Sequence, residues 1–283
     1  MVLRDRLLKI SLLRAAALST LRSVRFDFSI RHPWVHGCKI WLNSYLHKGY
    51  WFHGKRREAR TMQAFAKLIQ KKDFVIEVGG HIGFISTYFA SLTGPEGLVT
   101  VFEPGSNNLP YIRRNIRSEN CPACAPIRLV EAAVGAENGT VTFFEDQLTG
   151  QNNSVIQDFK GLSENARNAN VAAVVTAKVV QLIQLDDFFN GTKVDFVKID
   201  VEGFELSVLL GMAGMVKKYQ PVIMVEVQAD HQKIQNYFDD LEYSLFTDEG
   251  KLVENALLLD ENIFALHSVK HAVLAKQAFL RAG

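Results

Sequence analysis

The sequence predicts an α/β domain with a mostly parallel sheet, closed by an antiparallel hairpin and preceded by a mostly helical extension. Three observations carry this reading. From Asp73 onward, short apolar runs alternate with segments of helical periodicity, the pattern of strands joined by crossover helices. The runs stop abruptly at glycines or acids. The residues before Asp73 lack the alternation and are rich in aromatic side chains. The expected division is an N-terminal extension over residues 1–72 and the main domain over 73–283.

In the extension, Leu3, Leu7, Ile10, Leu13, Ala17 and Leu21 recur at helical spacing. Arg4, Arg6, Lys9, Arg14, Arg22 and Arg25 face a single acid, Asp5. The arginines interrupt the apolar run, so it cannot span a bilayer. A helix packed on the main domain is the favoured reading, ahead of a peripheral membrane-surface helix. An organelle transit peptide ranks third. His32-Pro33-Trp34 marks a break, and Trp41, Tyr45, Tyr50, Trp51 and Phe52 follow as packing residues or as a cap over a site.

In the main domain, residues 74–78 form a first strand stopping at Gly79-Gly80, and 84–92 the helix after it. Residues 98–102 form a second strand ending at Glu103-Pro104, followed by a helix over 107–117 and a third strand over 127–133. Residues 140–144 alternate and extend the β-structure. The polar stretch 147–169 is long for a loop in a compact domain, which points to a functional segment. Strands follow at 174–182, at 194–199 (running into Asp200) and at 222–227, with helices over 204–215 and 231–240. Residues 243–246 and 263–267 suit the closing hairpin, and 270–281 a last helix.

Composition excludes several classes. Nearly half of the 283 residues are hydrophobic, enough for a sizeable core. The formal net charge of +2 gives no basic balance of the kind nucleic acid attracts. Three cysteines, without a signal peptide, fit a reducing, cytoplasmic compartment. Cys121-Pro-Ala-Cys124 has metal or redox spacing, but no further ligand pair lies near it in sequence. Its place between a helix and a strand reads as a turn, so no metal site is predicted.

In open parallel sheets, ligands sit at the carboxyl ends of the strands near the switch point. The sequence puts its unusual residues there. Glu77, Gly79 and Gly83 form an acid-x-Gly-x-x-x-Gly turn after the first strand, and Glu103 ends the second. A carboxylate at that second position can accept both hydroxyls of a ribose. A pyrophosphate cofactor wants Gly-x-Gly-x-x-Gly; an acid at the turn suits instead the cationic, phosphate-free S-adenosylmethionine. Ala133, where the third strand ends, is a further candidate cofactor contact. Asp200 and Glu202, where the fourth strand empties into the cleft, are candidate catalytic bases, with His231 as an alternative. The competing structural readings are a salt-bridged Glu77, helix-capping roles for Glu103 and Asp200, and a dipole-complementing Glu202. Lys198 lies in a strand expected to be buried and needs a partner, Glu77 or Glu226.

Lys198-Ile199-Asp200-Val201-Glu202-Gly203-Phe204-Glu205 closely resembles the signature of the FkbM family of methyltransferases. Glu103-Pro104, Asn107 and Leu109 are similar to that family's second-strand motif, with Asn115 at the matching helix position. Residues 140–144 and the stretch around Ser154 resemble its β extension and following loop, and Leu185-Asp186-Asp187-Phe188 the segment before the fourth strand. Glu226 falls where members often carry an acid. The resemblance covers residues 73–267, and it alone adds Asn107 and Ser154 to the candidate cofactor contacts. It implies a Rossmann-like class I methyltransferase sheet, S-adenosylmethionine as cofactor, and methyl transfer to a hydroxyl of a sugar, glycan or secondary metabolite. Two stretches depart from the family: His81 replaces an Asn in the glycine loop, and His53-Gly54-Lys55-Arg56-Arg57 replaces a more acidic lead-in. The expected partner is a small-molecule or glycan acceptor, with no nucleic acid and with peripheral membrane contact through the basic N-terminus. Two other functions stay open at this point: a nucleotide-cofactor enzyme of similar fold, and a non-catalytic binding module.

Overall fold

The computed structural model describes residues 20–35, 37–147, 150–157, 175–255 and 262–279. The basic N-terminal segment expected to be helical, up to residue 19, and much of the polar stretch 147–169 lie outside the described residues. Among the described residues, no helix is long and apolar enough to cross a membrane.

The extension opens with an antiparallel hairpin, β1 (Asp27–Ile30) and β2 (Ile40–Asn43). Two helices follow, α1 (Lys48–His53) and α2 (Ala59–Leu68). The described part thus adds a short hairpin to the helices that the sequence suggested. Phe28, Ile30, Ile40 and Leu42 place apolar and β-branched side chains on a paired surface, which favours strands over short helices.

The main sheet is built from β3 (Phe74–Val78), β4 (Leu98–Phe102), β5 (Ile127–Val130), β9 (Phe196–Ile199), β10 (Val222–Glu226), β11 (Tyr243–Thr247) and β12 (Asn262–His267). Its spatial order is β11-β12-β10-β9-β3-β4-β5. Neighbours from β10 to β5 pair in parallel, while β12 runs antiparallel to both β10 and β11. The connecting helices are α3 (Phe84–Thr93), α4 (Leu109–Asn115), α5 (Leu185–Phe189), α6 (Glu205–Leu210), α7 (Ala213–Tyr219) and α8 (His231–Asp239), with α9 (Ala272–Ala278) last. The chain winds outward from β3 through β4 to β5, then returns to the other side at β9. The switch point therefore lies between β3 and β9, and a crevice opens at their carboxyl ends.

Strand alternation sorts the core onto the two faces. Ile76, Val78, Val197, Ile199, Ile223 and Val225 face one hydrophobic cluster, which includes Val208, Leu209 and Phe238. Val75, Phe196, Val222 and Met224 face the other, which includes Leu42, Met62 and Phe65 of the extension. Phe65 meets Phe89, Phe196 and Phe264 edge-on at 4.9–5.8 Å between ring centroids. Such pairs add about 0.5–1.5 kcal/mol each to the burial itself.

Two expected elements are broken. The third strand stops at Val130, and β6 (Ala133–Val134) joins a separate sheet with β7 (Gly139–Asp146) and β8 (Val175–Ile183). Between them Glu131 reaches outward to Arg113, while Ala132 and Ala133 turn inward onto the crevice. The helix expected over 204–215 divides at Gly211. A Cβ there would stand 2.0 Å from the Gly135 carbonyl oxygen, so the chain passes against the β6 turn only as glycine.

Candidate functional site

A cavity of about 320 Å³ occupies the switch-point crevice. The β3 turn supplies its floor. Gly79 has φ +86°, and a Cβ on it would lie 1.9 Å from the Asp200 carbonyl oxygen. Glycine is thus required for two strand ends to touch, and that touch puts the β3 turn and the β9 end on one rim. The amides of Gly79 and Gly80 both donate to the Phe102 carbonyl, fastening the turn to β4.

Glu103 stands at the β4 end, 4% exposed. One carboxyl oxygen accepts the His81 amide at 2.6 Å; the other accepts the Gly105 amide at 2.8 Å and Asn108 Nδ2 at 3.3 Å. Burial pushes its carboxyl up to about 7, against these donors. Glu103 caps no helix with its side chain, and the helix it precedes begins at Leu109.

Lys198 is buried in β9 and gathers three acceptors. Its Nζ lies 3.0 Å from Asp200 Oδ2, 3.3 Å from the Gly79 carbonyl and 3.7 Å from Glu77 Oε1. Burial works against its charge, but Asp200 and Glu77 outweigh burial and hold the ammonium protonated. Glu77 also accepts the Ser86 hydroxyl, and burial raises its carboxyl to about 7. Glu77 is therefore an ion-paired carboxylate beneath the turn as well as a wall of the cavity.

The far wall is acidic. Glu202, at φ +54°, and Glu226 both line the cavity close to Asp200. Burial first, then the Asp200 charge, raises the Glu202 carboxyl. For Glu226 the Asp200 charge comes first and burial second. Glu205 accepts the Gly203 amide at 2.7 Å, and burial raises it to about 7. Asp200 caps no helix: α6 begins five residues on, with Phe204 at its cap position.

Of the ten candidate catalytic and cofactor-binding residues, Glu77, Gly79, Glu103, Ala133, Asp200 and Glu202 line the cavity together. The other four do not. Gly83, at φ +78°, begins α3 and packs against Ile112. Asn107 exchanges hydrogen bonds with Asn153 and the Asp146 carbonyl, holding the loop after β7. Ser154 donates to the Glu202 carbonyl at 2.7 Å and so props the acidic wall from behind. His231 starts α8 outside the lining.

The extension closes one side of the cavity with Tyr50, one of the aromatics read as packing or as a cap, and with Arg57 and Glu58, which sequence reasoning did not place there. The Tyr50 hydroxyl lies 3.0 Å from His81 Nδ1, and the Arg57 guanidinium sits 4.4 Å from the Tyr50 ring centroid. Arg57 lay in the basic lead-in that departs from the family pattern, while nothing in the sequence marked Glu58.

The residues present fit an adenosyl cofactor. A ribose diol can donate to Glu103, whose anion is costly while buried and gains from further donors. Gly79 and Gly80 let the floor's backbone pack against Asp200, Val101 and Ile112, where a Cβ would clash. Asn152 Nδ2 is buried at the cavity wall without an acceptor among the described residues, as a donor reserved for a ligand would be.

The FkbM methyltransferase domain model matches residues 77–252, more than half of the chain. Methyltransferase 1 of Beauveria bassiana (strain ARSEF 2860) is 25% identical over 148 residues, which are 49% of this chain and 58% of that protein. Among solved structures, methyltransferase FkbM from Methylobacillus flagellatus KT superposes with a TM-score of 0.48 at 14% identity. That match covers 90% of this chain and 60% of the other. Aeropyrum pernix fibrillarin, solved with natively bound S-adenosyl-L-methionine, gives 0.40 at 11% identity, covering 73% of this chain and 74% of that one. The chain thus spans about 60% of the length of the first two relatives. With the family model spanning the turn at Glu77, the acid at Glu103 and the β9 motif, this chain belongs to the FkbM methyltransferase family.

Proposed function

We propose that this chain is an S-adenosylmethionine-dependent O-methyltransferase acting on a hydroxyl of a sugar, glycan or small metabolite. One observation carries the reading. A single cavity has a ribose-suited carboxylate, Glu103, at one end and the Lys198–Asp200 pair at the other. Adenosine would rest against Glu103, Gly79, Gly80 and Ala133. Bound S-adenosylmethionine would supply a sulfonium methyl group for in-line displacement by the acceptor oxygen.

The chain's own residues then do three things. The rim formed by Gly79 and Asp200 fixes the distance between the donor floor and the acceptor wall; such alignment can supply several kcal/mol of the barrier, up to about ten. Asp200, oriented by Lys198, takes the acceptor hydroxyl's proton as the new bond forms. Glu202, its carboxyl raised, holds its proton near neutrality and is set to donate a hydrogen bond to an acceptor oxygen rather than to remove a proton. A sugar or polyol offers the several oxygens that such a polar wall can engage; an apolar acceptor would give the Glu202 carboxyl no added partner.

Calorimetry with S-adenosylmethionine, followed by mass spectrometry of a panel of hydroxyl acceptors, tests this. A saturable cofactor and a mass gain of one methyl on a sugar or polyol are expected. Cofactor binding without any methylated hydroxyl would sink the acceptor class. No binding at all would make the chain a non-catalytic module.

A further inference from the structure

Cys38, Cys121 and Cys124 come together although 83 residues separate the first two. The hairpin of the extension delivers Cys38, which is fully buried just before β2. The other two flank a tight turn after α4, closed by the Cys124 amide donating to the Cys121 carbonyl at 3.1 Å. Cys121 Sγ stands in bonding contact with both Cys38 Sγ and Cys124 Sγ, which are themselves 3.6 Å apart. Cys121 and Cys124 are only partly buried, so the cluster is reachable from solvent. The sequence reading took Cys121–Cys124 for a plain turn because no further ligand lay close along the chain. The missing neighbour arrives through the fold.

We infer that these three cysteines form a binding site for a thiolate-seeking cation, zinc above all, which clamps the N-terminal hairpin to the turn after α4. The chemistry favours a metal over a disulfide. A sulfur joins one disulfide, so any pairing of three cysteines leaves a thiol in contact with the bridge and open to exchange. One tetrahedral cation uses all three. Two thiolates at about 2.3 Å from zinc stand ~3.8 Å apart; Cys38 and Cys124 already have this spacing, and Cys121 would draw back from its two neighbours to share the cation. The Cys-x-x-Cys turn is the usual way one short segment presents two such ligands. Among the described residues no fourth His, Cys or carboxylate joins the group, so the remaining position goes to water or another exchangeable donor. On binding, the three thiols give up their protons to solvent and the ion takes three thiolates, so affinity rises with pH.

The test uses the full chain, purified under reducing conditions. Elemental analysis should find zinc close to equimolar with protein. Cobalt titration of the metal-free chain should give thiolate-to-metal charge-transfer absorption that saturates at one equivalent and is bleached by zinc. Alkylation followed by mass spectrometry should modify no cysteine in the zinc form and all three after chelation. Cys121→Ser should lose the absorption, and limited proteolysis should then cut the hairpin faster, by about tenfold or more. The cobalt titration needs no variant, so a misfolded Cys121→Ser protein leaves the proposal testable. Reduced wild-type protein that retains no zinc and gives no cobalt absorption would overturn it. A non-reduced chain carrying one disulfide and one readily alkylated thiol, with no metal released, would overturn it equally.

Discussion

Glu103 holds its carboxyl near 7 because it is buried, while three N–H groups favour its anion. Its state therefore changes within the working range of most enzymes. In the proposed role the anion would accept two ribose hydroxyls, which the acid cannot do. The folded pKa lies above the usual carboxylate value, so the proton is lost as pH rises through about 7, and cofactor affinity should rise with it. The rise should be at most tenfold per unit between about pH 6 and pH 8, then level off. Calorimetry across that range checks this, and Glu103→Gln should bind more weakly with a flat profile. A sloping profile in the Gln variant would assign the titration to another group. Asp200 makes the opposite kind of prediction. Asp200→Asn keeps the shape and removes the base, so kcat should fall by about 10²–10⁴ while S-adenosylmethionine affinity stays within a few-fold. Near-wild-type turnover would take Asp200 out of the mechanism. At this scale the sequence was informative where a residue type was out of place. A lysine in a buried strand demanded a carboxylate, and Glu77 is one of the two it found. His231 had no such tension, and its place outside the cavity could not be read from position alone.

Among the elements, the β3 turn and the β9 end depend on one another. Gly79 satisfies two demands at once, a left-handed φ of +86° and a backbone approach that a Cβ would bring to 1.9 Å. Gly79→Ala meets backbone strain of about 1–3 kcal/mol before any clash is counted. The clash is with a carbonyl that no rotamer change can move. Each kcal/mol lowers Tm by roughly 2–4 °C in a chain of this size. A fall of about 5 °C or more is expected in thermal unfolding, together with weakened cofactor binding. Gly139→Ala, where nothing lies within 4 Å of the new methyl, should be neutral and serves as the control. The strands of the main sheet were legible because apolar runs and their stops are local signals. The break at Gly211 and the departure of β6 were not: each follows from a contact with a distant segment, Gly135 in one case and β8 in the other. The hairpin β1–β2 was missed for the same reason. Its pairing shows no clear alternation in the sequence, and its apolar residues find their burial against a domain that begins thirty residues later.

On the scale of the whole molecule, the boundary expected at residue 72 runs through a shared hydrophobic cluster. Tyr50 and His32 meet Phe84 edge-on at 4.9 and 4.6 Å, and Trp34 meets Tyr88 at 6.0 Å. Asn115 clasps the backbone of Trp41 from both sides, accepting its amide at 2.6 Å and donating to its carbonyl at 3.1 Å. Leu42, Met62 and Phe65 fill the face of the sheet that Val75 and Phe196 present. The extension is thus part of the core and, through Tyr50, Arg57 and Glu58, part of the cavity wall. Two truncations separate its roles. Phe26 begins the ordered pairing, exchanging hydrogen bonds with Ser44. Every cavity-lining residue lies after it. A chain starting at Phe26 should therefore unfold cooperatively and bind S-adenosylmethionine within a few-fold of full length. A chain starting at Ala59 loses the hairpin and α1 and bares Phe84 and Tyr88 to water. Stripping a fully buried Val, Leu, Ile or Phe of its cover costs about 1.5–3 kcal/mol. Several such losses together rival the 5–15 kcal/mol by which a domain is stable. That shorter chain should be aggregated, or expanded with no cooperative transition in circular dichroism and calorimetry. If it instead folds cooperatively and binds the cofactor, the extension is an independent unit resting on a self-sufficient domain, and the shared cluster contributes little to stability.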